Sequence, residues 1–178
     1  MVEMFVSKLG HDGQQKTFVV ILQERAGSRV LPIWIGRPEA ESIAAHIHGI
    51  PRERPMTHDL VRSLVTALDG TLTQVVITRV VKHTYHAELH FFRGEESHVV
   101  DARPSDAIAI ALRLGAPMFA AAELLYDHEQ LAAGADGEAS ESVEQRSEAA
   151  RAESTSYAEN LRRHLEQLKP EDFGKFSL

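Results

Sequence analysis

The sequence has 178 residues, enough for one folded domain and a tail, and its 43% hydrophobic and 25% charged residues are typical of soluble globular proteins. It contains no cysteine and no apolar run near the roughly 20 residues of a membrane helix, which excludes disulfides, thiolate metal sites and a helical membrane span. The net charge of −7 argues against tight, non-specific nucleic-acid binding. Because no basic start and apolar run mark a signal peptide, we expect a cytoplasmic protein.

The predicted elements begin with three strands. Apolar runs bounded by turn residues indicate strands over residues 1–10, Thr17–Glu24 and Arg29–Gly36. Pro32 has no N–H to donate, so the third strand is predicted to lie at a sheet edge or to carry a bulge there.

Two helices are predicted next. Pro38 suits a first helical position, and the apolar stripe that follows it stops at Gly49. The second helix is predicted to have Thr57 as its N-cap and to end before Asp69-Gly70.

The pattern then repeats after about 66 residues. Strands are predicted over Thr71–Val81, Thr84–Phe92 and Ser97–Ala102, followed by a helix over Pro104–Leu114 that Gly115 ends. The strand-to-helix junctions also match, with I-G-R-P-E-A-E-S-I-A at 35–44 and D-A-R-P-S-D-A-I-A at 101–109. The chain therefore predicts an α+β fold of two repeated β-β-β-α units packed in layers, with mixed or antiparallel sheets.

The composition changes after this domain, which we place at residues 1–126. Residues 127–178 carry twelve acidic and six basic side chains, so they hold −6 of the net charge. Residues 127–153 contain few large apolar residues and are predicted to form a flexible acidic linker. Residues 154–178 are predicted to form an amphipathic helix and tail, with an apolar stripe of Tyr157, Leu161, Leu165 and Leu168.

Several motifs carry a resemblance to a known family. They are L-P-I-W-I-G followed by E-A within 31–40, R-P-M-T-H-D-L at 54–60, Y-H-A-E-L at 85–89 and D-A-R-P-S-D-A-I-A-I-A-L-R at 101–113. In this order they resemble the bifunctional nuclease (BFN) domain, and the ending L-K-P-E-D-F at 168–173 resembles the tail of bacterial members. The resemblance implies a hydrolase that cleaves DNA and RNA.

The same motifs supply groups suited to phosphodiester hydrolysis, which needs an activated water and charge stabilisation at the phosphate. The candidate catalytic residues are Glu39, His58, Asp59, Arg103 and Asp106. The candidate substrate-binding residues are Arg37, Arg103 and Ser105, and Asp106 and Glu39 are candidate ligands for Mg²⁺ or Mn²⁺. If the two units face each other, Glu39 and Asp106 should converge from two helix N-termini, which also favour phosphate.

A purely structural interpretation competes with this one. Acidic residues in first helical turns, such as Glu39, Asp59 and Asp106, are common for dipole and capping reasons alone. Arg103 would then simply pair with Asp106 or Asp101. The alternative function is a non-catalytic binding or assembly module for a ligand or protein partner, and unpaired sheet edges would favour a homo-oligomer in either case.

One strand offers a different metal site. His86, Glu88 and His90 fall on one face by period-2 alternation and could bind Zn²⁺. In the competing interpretation, Tyr85, Ala87, Leu89 and Phe91 face the core, and the polar set faces solvent.

Overall fold

A computed structural model describes residues 1–12, 17–82 and 84–127 of the chain. The strands are β1 (Val2–Asp12), β2 (Thr17–Glu24), β3 (Val30–Ile35), β4 (Gly70–Val81), β5 (Thr84–Arg93), β6 (Glu96–Ala102) and β7 (Met118–Ala120). The helices are α1 (Arg37–Ile47), α2 (Thr57–Ala67), α3 (Pro104–Leu114) and a short 3-10 turn at Ala122–Leu124. Within these ranges, no helix is both long and apolar enough to cross a membrane.

All seven strands join one mixed sheet, in the order β3-β2-β1-β7-β4-β5-β6. Every neighbouring pair is antiparallel except β4 and β7, which run parallel. The α+β class is confirmed, whereas the expectation of more than one sheet is wrong, because β7 pairs with both β1 and β4 and so connects the two groups of strands.

Most predicted boundaries agree with the structure. Thr17–Glu24 and Pro104–Leu114 are confirmed to the residue, and β3 lies at an end of the sheet, as Pro32 indicated. The predicted N-cap at Thr57 is wrong by one residue. The N-cap of α2 is Met56, whose backbone N–H donates to Asp59 Oδ2 at 3.0 Å.

Two predictions are not decided by these elements. The idea that the chain contains two copies of one β-β-β-α unit stays a prediction, although three strands precede both α1 and α3. The acidic linker over 127–153 and the C-terminal helix over 154–178 lie, apart from Asp127, outside the described residues.

Helix α3 lies at the centre of the core. Ala107, Ile108, Ala109 and Ala111 have no exposed surface, because α1 and α2 flank the helix while β3, β4 and β5 also contact it. Its small alanine side chains let these elements approach closely. The arrangement brings the first turn of α3 next to α1 and α2, the helices that carry the other candidate residues.

Candidate active site

Asp106, in the first turn of α3, links His58 of α2 with Arg103, the N-cap residue of its own helix. Its Oδ1 atom lies 3.1 Å from His58 Nε2 at the start of α2, and the Arg103 guanidinium donates to both carboxylate oxygens over 2.8 and 3.1 Å. Arg103 Nη1 also lies 3.1 Å from Glu39 Oε1 in the first turn of α1. The structure therefore brings together four of the predicted catalytic residues.

Two carboxyl groups of this cluster, those of Glu39 and Asp106, share the one Arg103 guanidinium. Burial is the largest influence on the Asp106 carboxyl and would raise its pKa, but the hydrogen bonds from Arg103 and His58 outweigh burial and hold that pKa below its ordinary value. The hydrogen bond to Asp106 correspondingly raises the pKa of Arg103. Asp106 is thus an ionised acceptor, and Arg103 is a cation whose side chain remains 67% exposed.

His58 is held at both ring nitrogens. Its Nδ1 atom lies 2.9 Å from Ser42 Oγ, and Ser42 Oγ also accepts a hydrogen bond from Arg113 Nη2 at 3.1 Å. The ionised Asp106 can only accept, so Nε2 must donate to it, and a neutral imidazole then accepts at Nδ1 from the Ser42 hydroxyl. A neutral His58 therefore carries its proton on Nε2, whereas an imidazolium would donate from both ring nitrogens, since Ser42 Oγ can also accept.

Asp59 joins the same network through Arg113. Arg113 Nε donates to Asp59 Oδ1 at 2.6 Å, and its remaining contacts are to Ala109 O at 3.0 Å and to Ser42 O at 3.2 Å. The Arg113 side chain is only 3% exposed. The hydrogen bond from Arg113 holds the pKa of Asp59 below its ordinary value, against the opposing effect of burial.

Ser42 and Arg113 are the two network residues that the sequence did not single out as site residues. Ser42 looks like one polar position within an apolar helix stripe, and Arg113 like an ordinary cation in the last turn of α3. Only the packing of α3 between α1 and α2 shows that both are buried and joined to His58 and Asp59. A charged residue inside an otherwise apolar helical face was the available signal.

The remaining candidates lie outside this network. Arg37 pairs with Glu41 at 2.7 Å and is 76% exposed, so its predicted phosphate contact stays a prediction. Ser105 is buried beside Asp106. Asp101 is 77% exposed and lies 3.8 Å from His86 Nδ1, rather than pairing with Arg103.

A solvent-open pocket of about 240 Å³ borders one side of the network. Asp59 and Arg113 line it together with His46, Arg52 and Met56 from the end of α1 and the start of α2. Arg103 and Asp106 do not line this pocket, so it gives access to the Asp59 side of the network rather than to the exposed Arg103.

The candidate metal ligands do not fit a metal site in their present contacts. Glu39 and Asp106 both use a carboxylate oxygen on the Arg103 guanidinium, which would repel a second cation. Over residues 1–12, 17–82 and 84–127, no group of three or more His, Asp or Glu side chains is arranged to hold a metal ion. Mg²⁺ or Mn²⁺ assistance therefore stays a prediction.

The second candidate metal site, on β5, shows the alternation of the competing interpretation, but its polar set does not simply face solvent, because His90 Nε2 is buried and makes no hydrogen bond to the described residues. Ala87 and Leu89 are buried in the core, and the polar set occupies the other face of the strand. His90 Nε2 lies 3.3 Å from Glu88 Oε2, and His86 instead faces Asp101. These are separate His–carboxylate pairs rather than three ligands around one point.

Comparison with known proteins adds a family. The sequence model of the bifunctional nuclease domain matches residues 20–132. An uncharacterized Mycobacterium tuberculosis protein is 43% identical over 119 residues, which cover 67% of this chain and 71% of that relative.

More distant relatives are plant proteins that carry the nuclease name. Bifunctional nuclease 2 of Arabidopsis thaliana is 30% identical over 103 residues, which cover 56% of this chain and 31% of the plant protein. Bifunctional nuclease 1 of Oryza sativa subsp. japonica is 26% identical over 113 residues, which cover 62% of this chain and 34% of the rice protein. The chain thus spans about a third of the length of these plant relatives.

Proposed function

Because this chain belongs to the bifunctional nuclease domain family, we propose that it hydrolyses phosphodiester bonds in DNA and RNA with low sequence specificity. The observation that carries the proposal is Asp106, held between His58 and an exposed Arg103 where α1, α2 and α3 meet. The names of the plant relatives support the reaction class, and the site itself supports the choice of residues.

Arg103 is proposed to bind the scissile phosphate. Its planar guanidinium can donate two parallel hydrogen bonds to phosphate oxygens, and its exposed side chain is free to turn towards a ligand. The first turn of α3 adds the backbone N–H groups of Ser105 and Asp106 at the positive end of the helix dipole, whereas Pro104 has no N–H. Ser105 and Arg37, on the starts of α3 and α1, are the further proposed phosphate contacts.

Asp106 is proposed to accept the proton, and His58 to position Asp106. When Arg103 turns to the phosphate, Asp106 Oδ2 loses its partner and can accept a proton from the attacking water. The water oxygen forms a bond to phosphorus, the bond from phosphorus to the leaving oxygen breaks, and solvent protonates that oxygen. His58 keeps Asp106 oriented through Oδ1, while Ser42 and Arg113 hold His58 in position.

Glu39 and Asp59 are proposed to influence this centre through the arginines that they contact, Arg103 and Arg113. Glu39 competes with the phosphate for Arg103 and so sets how readily the guanidinium turns. Asp59 neutralises the buried Arg113. Assistance by Mg²⁺ or Mn²⁺ is a separate part of the proposal, and none of these steps passes through a metal.

The test compares cleavage of labelled single- and double-stranded DNA and RNA by the wild-type protein and by Asp106→Asn. We expect the rate to fall by about 100-fold or more, since removal of a positioned base typically has this effect. Glu96→Gln is the matched control, because it removes one carboxylate charge from a side chain that is 79% exposed. Each reaction is run with Mg²⁺, with Mn²⁺ and with EDTA, and the variants must show the same thermal unfolding.

The outcomes separate the claims. Loss of cleavage in Asp106→Asn but not in Glu96→Gln supports a nuclease centred on α3, and the EDTA samples decide whether it needs a metal. Equal cleavage by all three proteins would show that Asp106 does not carry the reaction and would leave the enzyme claim without support. No cleavage by any of them would leave the proposal without support.

A specific observation favours the alternative function, a binding or assembly module. Among the described residues, Arg103 contacts Asp106 and Glu39 while Arg113 contacts Asp59, so the arginines pair with carboxylates of the network itself, as in a structural cluster. Such a module would bind labelled oligonucleotides or a protein without cleaving anything. Binding that persists in Asp106→Asn, with no cleavage by the wild type, would favour it. We also propose that the chain forms a homo-oligomer through an edge strand of its sheet.

A further inference from the structure

Helix α2 presents a row of large apolar side chains to solvent. Met56, Leu60, Leu64 and Leu68 follow one another at four-residue spacing and are 43%, 52%, 51% and 58% exposed. We call these four residues the α2 stripe. No residue of the helix itself is buried, although Val61, on another side of it, packs against the core.

The stripe is not needed for the fold as described. Single exposed apolar residues are common, but a continuous row of four on one helix marks a contact surface. An amphipathic segment with apolar residues three and four apart is the natural ligand for such a row, since side-chain ridges at four-residue spacing interdigitate.

We propose that the C-terminal segment of this same chain, residues 157–168, docks on the α2 stripe as a helix. Tyr157, Leu161 and Leu165 are four residues apart, as in the stripe, Leu168 comes three residues later, and Pro170 follows after Lys169. This segment would be a marginal helix alone, and burial of its apolar side against α2 supplies the stabilisation it lacks.

The tether is long enough to allow this. The described chain ends beside β3, where Tyr126 pairs with Val30, and 29 residues separate Asp127 from Tyr157. Those residues can span up to about 95 Å. A domain of this size has a radius of gyration of only about 14 Å, so every part of its surface is within reach.

A second copy of the chain is a poorer occupant. Four half-exposed side chains offer on the order of 200–400 Å², whereas each partner in a stable complex buries about 800 Å². A tethered segment needs less area, because it meets its site at an effective concentration in the millimolar range. The size of the stripe therefore favours an occupant on the same chain.

Docking would stabilise the helix that carries His58 and Asp59 at its start. The inference does not depend on the proposed nuclease activity, because its evidence is the stripe and the tail sequence. Its test accordingly measures structure rather than cleavage.

The first measurement is amide hydrogen exchange across α2 in the full-length protein and in Leu161→Asp/Leu165→Asp. We expect α2 amides to exchange at least 10-fold faster in the variant, while exchange in the core of α3 is unchanged. Arg162→Gln/Arg163→Gln is the control, since it shifts the net charge by the same amount and leaves the apolar row intact. Equal protection of α2 in all three proteins would overturn the proposal.

A cross-link then identifies the occupant. The chain has no cysteine, so Leu64→Cys/Leu161→Cys introduces the only two thiols. Intramolecular docking predicts a disulfide within one chain, at a rate independent of protein concentration. A mixture of the two single-cysteine variants should give little cross-linked dimer. Efficient cross-linking in the mixture would assign the stripe to a second copy, and no cross-link in either sample would also contradict the proposal.

Discussion

Arg113 is a buried cation whose stability depends on one carboxylate. Its side chain is 3% exposed and lies 2.6 Å from Asp59 Oδ1. Removing one member of such a pair leaves an uncompensated buried charge. The pair is therefore expected to matter more for stability than the exposed pair of Arg37 and Glu41.

We expect Asp59→Asn to lower the free energy of unfolding by about 1–3 kcal/mol at pH 7, since Asp59 is itself partly exposed. The folded-state pKa of Asp59 lies below its ordinary 3.8. Its contribution is therefore fully present well above that pH and is lost as pH falls through the lower, folded-state pKa. Urea unfolding between pH 7 and pH 3 should show the wild type and variant converging below about pH 4.

Asp101→Asn is the control for this experiment, because Asp101 is 77% exposed and lies outside the network. It should match the wild type across the range. A difference between Asp59→Asn and the wild type that stays constant down to pH 3 would show that the charge of Asp59 is not what stabilises the fold.

The sequence predicted the site residues at helix starts better than Ser42 and Arg113, which lie further along α1 and α3. Glu39, His58, Arg103 and Asp106 stand in recognisable motifs at helix starts, and the structure brings them together. Ser42 belongs to the site only through its hydrogen bonds with His58 and Arg113, which are 16 and 71 residues away along the chain. No local sequence pattern contains such distant contacts.

At the scale of elements, the start of α1 sets the position of Glu39. Gly36 is the N-cap, with an ordinary φ of −74°, so its backbone does not require glycine. A Cβ atom at this position would, however, lie 2.5 Å from Glu39 Oε2. The absence of a side chain at Gly36 therefore lets Glu39 stay close to the helix start, where it contacts Arg103.

We expect Gly36→Ala to keep the fold, with a stability change within about 1 kcal/mol, because the far end of the Glu39 side chain can move. The displaced carboxylate should release Arg103 and change the KM for an oligonucleotide more than kcat. Steady-state cleavage kinetics measure this, with Glu39→Gln as the matched variant. If Gly36→Ala has the wild-type KM and kcat while Glu39→Gln does not, then Glu39 keeps its contact with Arg103 when a methyl group is added at position 36, and the prediction is wrong.

Element boundaries were predictable where glycine and proline punctuate the chain. The left-handed φ of +66° at Gly115 ends α3 where the sequence placed the stop. Strand β7 was not predicted, because a three-residue strand is too short to show an alternating pattern. Its pairing with β1 and β4 joins the two groups of strands into one sheet. The strand that determines the sheet topology is therefore the one that the sequence pattern did not reveal.

At the scale of the whole molecule, the two ends of the sheet differ. The β3 edge is partly covered, since Val30 pairs with Tyr126 in an isolated bridge. Within the described ranges, β6 is the last strand, and Val99 and Val100 on its opposite faces are 56% and 47% exposed. An edge strand with apolar residues on both faces is a ready site for pairing with another strand.

The proposed homo-oligomer should therefore form through β6, by pairing of the edge strands of two copies into one continuous sheet. We expect Val99→Lys/Val100→Lys to be monomeric under conditions where the wild type is a dimer, because charges on both faces oppose close pairing. Light scattering after size-exclusion chromatography, over a range of concentrations, measures the mass. Val81→Lys is the control, since Val81 is 45% exposed but lies on β4, inside the sheet order. A wild type that stays monomeric throughout, or a dimer that survives both substitutions, would contradict pairing through β6.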